Sequence, residues 1–179
     1  MKNIAITILS GIVLVFFCSQ EQDHIGAIKA KYQQINQGIK TFTKKKIEDN
    51  DQSADGANVV GFYNGSQLQL IVSEFFGEGG KGKMEYYFDG GKLIFVIYKD
   101  YIYNRPYYWD KKMAAENHDS VWYDSKKTKV EMTRFYFNNN ELLKRINDGN
   151  VEVPVNSTES SKYKSDILED VQRLQKLLE

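Results

Sequence analysis

The segment Gly77-Glu78-Gly79-Gly80-Lys81-Gly82-Lys83 has the spacing of a phosphate-binding loop up to its last place. Such a loop needs Ser or Thr after the Lys to hold magnesium, then a helix whose N-terminus faces the phosphate. Here Met84 follows, and Met84-Glu85-Tyr86-Tyr87-Phe88 has the composition of a strand. The glycines therefore read as a flexible connection between hairpins, and no nucleotide cofactor is implied. Asp51-Gln52-Ser53-Ala54-Asp55-Gly56 matches the first half of a calcium loop, but the place of the bidentate Glu is held by Phe62. A solvated acidic linker is the simpler reading. Of the two histidines, His24 opens a helix and His118 lies in the polar run Asn117-His118-Asp119. Neither has the neighbours of a metal site. Ser120 lacks a nucleophile elbow. Carboxylates such as Glu74 and Glu85 could meet only in space, so acid–base catalysis has no sequence signature here.

The richest polar and aromatic stretch is Tyr101-Ile102-Tyr103-Asn104-Arg105-Pro106-Tyr107-Tyr108-Trp109, with Trp122-Tyr123 further on. Exposed Tyr, Trp and Arg make binding hot spots and platforms for stacking sugar rings. The candidate ligand-binding residues are therefore Tyr101, Tyr103, Arg105, Tyr107, Tyr108, Trp109 and Trp122. The competing reading makes half of these rings cover for the sheet.

The elements that must position them follow a repeat. Phe62-Tyr63-Asn64-Gly65-Ser66-Gln67-Leu68, Tyr87-Phe88-Asp89-Gly90-Gly91-Lys92-Leu93 and Tyr136-Phe137-Asn138-Asn139-Asn140-Glu141-Leu142 are each an aromatic pair, a tight turn and a Leu that opens an apolar run. This is a strong hairpin signal. Three hairpins are expected, pairing about 58–63 with 67–76, 83–88 with 92–103, and 129–137 with 141–147. Leu93-Ile94-Phe95-Val96-Ile97-Tyr98 is apolar on both faces, so its strand should be covered on both sides. Lys144 and Arg145 suggest a charged strand near an edge.

Helices flank the sheet. Ile25, Ile28, Tyr32, Ile35, Ile39 and Phe42 form one apolar stripe, predicting a helix over 24–48 that packs on the sheet, then a linker over 49–57. Tyr163, Ile167, Val171, Leu174 and Leu178 predict a second helix over 161–178, docked or projecting. Within the interruption Asn104–Lys127, Asp110 is placed to cap a short helix over Lys111–Asn117, and Val121-Trp122-Tyr123 to add a short strand. The expected fold is α+β: an antiparallel meander of about six strands, one domain over 19–179, with an amphipathic helix at each end.

Lys+Arg and Asp+Glu balance at 24 each, so the basic footprint of a nucleic-acid binder is missing. Lys2 followed by the uncharged run Ile4–Phe17 has the form of a signal peptide over residues 1–18. The run is shorter than the roughly 20 apolar residues of a membrane span. Cys18, the only cysteine, closes it and forms no internal disulfide. Its position resembles the lipidated cysteine of bacterial lipoproteins, although Phe17 stands where those signals carry Gly, Ala or Ser. Acylated Cys18 would make the membrane a partner; otherwise the chain is secreted.

From about Asn58 to Asp148 the chain resembles an uncharacterised group of exported bacterial lipoproteins of Bacteroidetes type. The resemblance rests on Gly61-Phe62-Tyr63, on Glu85 through Val96, on Tyr103-Asn104-Arg105-Pro106-Tyr107-Tyr108-Trp109-Asp110 and on Arg134-Phe135-Tyr136-Phe137. The turn segments are also distantly similar to MORN-like repeats, whose hairpins build sheets for protein or membrane contact. These resemblances imply the fold and export, and bring no catalytic motif. The expected role is a non-catalytic binding or scaffolding module of the cell envelope, at the periplasm or outer surface, with an envelope protein or glycan as partner. The alternatives are an envelope hydrolase with carboxylates on a sheet face, and a self-associating structural protein whose first helix keeps its stripe exposed.

Overall fold

A computed structural model describes residues 23–49, 53 and 55–179. The signal-like segment and Cys18 lie outside the described residues, as do Asp51, Gln52 and Ala54 of the calcium-like segment. Eight strands form one antiparallel meander in chain order. They are β1 Thr43–Asp49, β2 Ala57–Asn64, β3 Gln67–Gly77, β4 Gly80–Asp89, β5 Lys92–Ile102, β6 Lys129–Asn138, β7 Glu141–Ile146 and β8 Glu152–Val153. Helix α1 spans residues 23–38, α2 Lys111–Glu116 and α3 Thr158–Leu177.

The three repeated segments are three copies of one bulged hairpin. Gly90 and Gly91 both have positive φ (54° and 78°), as do Asn139 and Asn140 (48° and 65°). That is the pattern of a type I′ turn, which Gly and Asn tolerate best. In the first copy Gly65 alone of the two turn residues has positive φ, 61°, as a type II′ turn asks. The register slips within each aromatic pair, between Phe62 and Tyr63, Tyr87 and Phe88, and Tyr136 and Phe137. Each slip leaves one extra residue on the partner strand: Gln69, Ile94 and Leu143. The bulge keeps Leu68, Leu93 and Leu142 on the face that packs under α3. The repeat thus encodes turn and bulge together.

Two hydrophobic clusters sandwich the sheet. Beneath α3, Ile167, Val171, Leu174 and Leu178 meet Val59, Ile71, Tyr86, Phe88, Val96, Phe135 and Phe137. On the other face Ile28 and Ile35, flanked by Ile25, Tyr32, Ile39 and Phe42, meet Leu70, Tyr87, Phe95, Ile97 and Tyr136. The first-helix stripe is therefore spent on the sheet. In β5, Leu93 and Val96 go to one cluster and Phe95 and Ile97 to the other, so this strand is covered on both sides.

Several expectations are corrected. Among the described residues there are eight strands, not about six. The first helix ends at residue 38, not near 48. The Thr41 N–H and hydroxyl both bond the Gly38 carbonyl (2.9 and 2.8 Å), and the Phe42 ring lies 3.1 Å from where a Cβ on Gly38 would stand. Ile39 and Phe42 reach the core through this turn, so the apolar spacing continues where the helix does not. Thr43–Asp49 then form β1 at the edge of the sheet, replacing the helix end and the start of the linker. The glycine segment is no slack connector. It closes a fourth hairpin, with Glu78-Gly79 as its turn and Gly77 paired with Gly80. Gly82 is required inside β4, because the Phe75 ring lies flat where its Cβ would be, 1.9 Å away. Residues 121–123 form no strand. Arg145 does not guard an edge: it is buried.

Candidate functional site

The interruption between β5 and β6 is a laced loop. Asp110 caps α2, accepting from the Met113 N–H at 2.8 Å. The Asn104 side chain accepts from the Asp124 N–H and donates to the Trp122 carbonyl, both at 2.9 Å. The Tyr123 N–H donates to the Trp109 carbonyl at 2.7 Å. The Tyr103 and Tyr107 N–H groups donate to the Gly79 and Glu78 carbonyls, which fastens the loop to the β3–β4 turn.

This lacing divides the seven predicted residues. Tyr103 packs edge-on against Tyr123. Arg105 pairs with Asp119 at 3.0 Å. The buried Trp109 Nε1 lies close enough to Asp119 to favour its charge, without the geometry of a hydrogen bond. The Val121 N–H, with Arg105 beside it, holds the Asp119 carboxyl below the usual carboxylate range. These residues build the loop. Tyr101 sits half-buried in β5 with Lys81 Nζ 4.8 Å from its ring centroid. Tyr107, Tyr108 and Trp122 remain exposed (52, 42 and 40%). Tyr107 and Tyr108 pack edge to face, and the Tyr108 hydroxyl donates to Glu78 at 3.2 Å. Lys111 covers one face of Trp122. His118 is exposed, and the carboxylates near it in sequence are engaged elsewhere: Asp119 with Arg105 and Asp124 with the Lys126 N–H.

Glu74 and Glu85 do not form an acid pair. Register places Lys83 opposite Glu74, and Lys83 Nζ lies 3.0 Å from Glu85, which also accepts from the Tyr87 hydroxyl.

A concavity lies elsewhere. A cleft of about 520 Å3 opens where α3 crosses the sheet. Phe75, Met84, Tyr98 and Phe135 make its floor, and Asp166, Asp170 and Arg173 stand on its α3 side. Phe75 and Tyr98 stack nearly parallel, 6.4 Å apart and 20° between planes. The Tyr86 hydroxyl donates to Asp170, which also accepts from Arg173 Nη2 at 2.8 Å. Arg173 in turn bonds the buried Asp49 of β1. Burial, and then the Asp170 charge, push the Tyr86 hydroxyl well above its ordinary pKa, so it stays a donor. Burial pushes Tyr98 up to about 12. At the same end of the sheet, Asp100 lies opposite Glu131 in the register. Burial, then Glu131, raise the Asp100 carboxyl above its usual value.

The cleft was not legible in the sequence, because it forms only when α3 lies across strands far from it in the chain. One signal existed. Asp166, Asp170 and Arg173 border the apolar stripe of α3, each one residue before Ile167, Val171 and Leu174.

Among the described residues no group of three or more His, Cys, Asp or Glu is placed to hold a metal ion. No described helix is long and apolar enough to cross a membrane. No family model, curated protein or solved structure matches this chain.

Proposed function

We propose that the chain is a non-catalytic binding module of the bacterial cell envelope. It is exported by its N-terminal segment, tethered through Cys18 when that cysteine is acylated, and it holds the end of a glycan in the α3 cleft. The observation that carries this reading is the cleft's division of labour: an aromatic floor led by Phe75 and Tyr98, and carboxylates along the α3 side. An aromatic face takes the apolar face of a sugar ring, and carboxylate oxygens accept from its hydroxyls. A cleft of this size lies within the range of small-molecule sites.

Calorimetric titration with soluble cell-wall glycan fragments tests the reading. Wild type should bind, and Tyr98→Ala should weaken binding at least tenfold. Absence of binding would sink it. Binding that ignores Tyr98→Ala but is lost in Tyr108→Ala/Trp122→Ala would move the ligand to the loop. Mass spectrometry of the native N-terminus tests the tether: an unacylated start beyond Cys18 removes it.

A hydrolase is the second reading, favoured by one observation. Asp166 and Asp170 stand one helical turn apart on the same cleft wall. Against it, Asp170 is already bonded by Tyr86 and Arg173, and Asp166 pairs with Lys162. Acids so engaged make poor proton shuttles. Release of new reducing ends from glycan, abolished by Asp166→Asn, would establish it. The self-associating alternative loses its motive, since the α1 stripe packs on the sheet.

A further inference from the structure

The opposite sheet face holds a second cavity, of about 310 Å3, between α1 and strands β5 and β6. Its walls are largely apolar, with Ile28 from α1, Phe95 and Ile97 from β5, and Met132 from β6. The charged groups that line it are both cations, Lys29 and Arg134, and no carboxylate is among its described lining residues. Arg134 Nη2 donates to Asn150 Oδ1 at 2.6 Å. Its Nε is fully buried and has no hydrogen-bond partner.

On a guanidinium the best-matched acceptor is a carboxylate oxygen, which can meet two N–H groups at once. The cavity therefore offers the Arg134 guanidinium, a second cation at Lys29, and apolar walls for what an anion carries. A water's share of liquid volume is about 30 Å3, so the space holds on the order of ten non-hydrogen atoms.

We propose that this cavity binds a single-chain carboxylate. The head pairs with the Arg134 guanidinium at its cavity-facing side, Lys29 supplies a second cation on the α1 wall, and the chain lies against Ile28, Phe95, Ile97 and Met132. The site is independent of the glycan reading, because the sheet separates it from the α3 cleft.

Octanoate is the probe, and 1-octanol, of equal chain length and without charge, is its control. Calorimetric titration of the mature protein should show octanoate binding at least tenfold more tightly than octanol. Arg134→Met keeps the apolar stem and removes the donors; it should erase that tenfold advantage and leave octanol binding in place. Equal affinity of wild type for the two probes, or no octanoate binding, overturns the proposal without recourse to any variant. Tyr98→Ala, in the other cleft, should leave octanoate binding unchanged. Loss of octanoate binding in Tyr98→Ala with Arg134→Met unaffected would place the acid in the α3 cleft and overturn the assignment.

Discussion

The guanidinium of Arg145 lies 4.6 Å from the ring centroid of Tyr163, so strand β7 holds helix α3 through a cation over an aromatic face. The Phe135 ring lies on the same group at 5.9 Å. Arg145 also donates to Asn147 (3.1 Å), Ser160 (3.3 Å) and Glu159 (2.7 Å). Ser160 lies in the first turn of α3, capped by Ser157, so one side chain fixes where the helix starts and how it meets the sheet.

Arg145→Met should therefore destabilise the protein by about 3 kcal/mol, the sum of buried hydrogen bonds to a charged group and a desolvated cation–π contact. Urea unfolding followed by circular dichroism measures it. Glu159→Gln should cost measurably less, because Glu159 is exposed and water replaces its bond. Equal losses in the two variants would show that the ion pair, not the aromatic seat, anchors the helix.

The same pair gives a pH signature. Arg145 holds the Glu159 carboxyl below its ordinary value of 4.5. A carboxylate depressed in the folded state contributes stability that is present above its unfolded pKa and lost as pH falls through the folded one. Asp119, below its ordinary 3.8, adds in the same direction. Stability should thus fall with acidification below about 4.5, and Glu159→Gln should flatten that fall. A slope identical in wild type and variant would contradict this.

The turns were legible in the sequence because their chemistry is local. Positive φ at Gly90, Gly91, Asn139 and Asn140 is a demand on single residues, and Gly and Asn announce it. The interior place of β5 was legible for a similar reason, since both its faces are apolar within six residues. β1 was hidden, because the stripe of α1 runs on into Ile39 and Phe42 without a break in spacing. The burial of Arg145 was hidden as well, since a charged residue in a strand reads as exposed unless its aromatic partners are known. Both partners come from elsewhere, Phe135 across the hairpin and Tyr163 from α3. The loop aromatics split into scaffold and exposed surface only through bonds such as Asn104 to Trp122 and Asp124.

The third hairpin tests the turn chemistry. Asn140, at φ 65°, should tolerate Gly with unchanged or slightly raised stability. Asn140→Val places a β-branched residue in the left-handed region and should cost about 1–2 kcal/mol. Thermal unfolding decides. A Val variant as stable as wild type would mean the turn has another conformation.

The latch between β1 and α3 should be asymmetric. Asp49 is buried, whereas Arg173 is partly exposed and also bonded to Asp170. Arg173→Met strips a cationic partner from a buried carboxylate and should cost about 2 kcal/mol. Asp49→Asn removes the buried charge itself and should cost less. Denaturant midpoints compare them, and a larger loss in Asp49→Asn would show that the carboxylate's other contacts hold β1 in place.

Gly82 carries the last prediction, because it joins the fold to the cleft. Phe75 lies across Gly82 on the neighbouring strand and stacks on Tyr98, so a methyl on Gly82 cannot coexist with the present ring position. Gly82→Ala should destabilise by about 1–3 kcal/mol, the cost of forcing a packed ring aside. Phe75→Ala alone should also destabilise, by removing the ring from the cleft floor. The double variant should lose less than the sum of the two, since the three atoms nearest to a Cβ at Gly82 all belong to that ring. A double-mutant cycle in urea reads this coupling directly. Additive losses would mean that Phe75 does not cover Gly82 in solution, and the aromatic floor proposed for the ligand would lose its outer half.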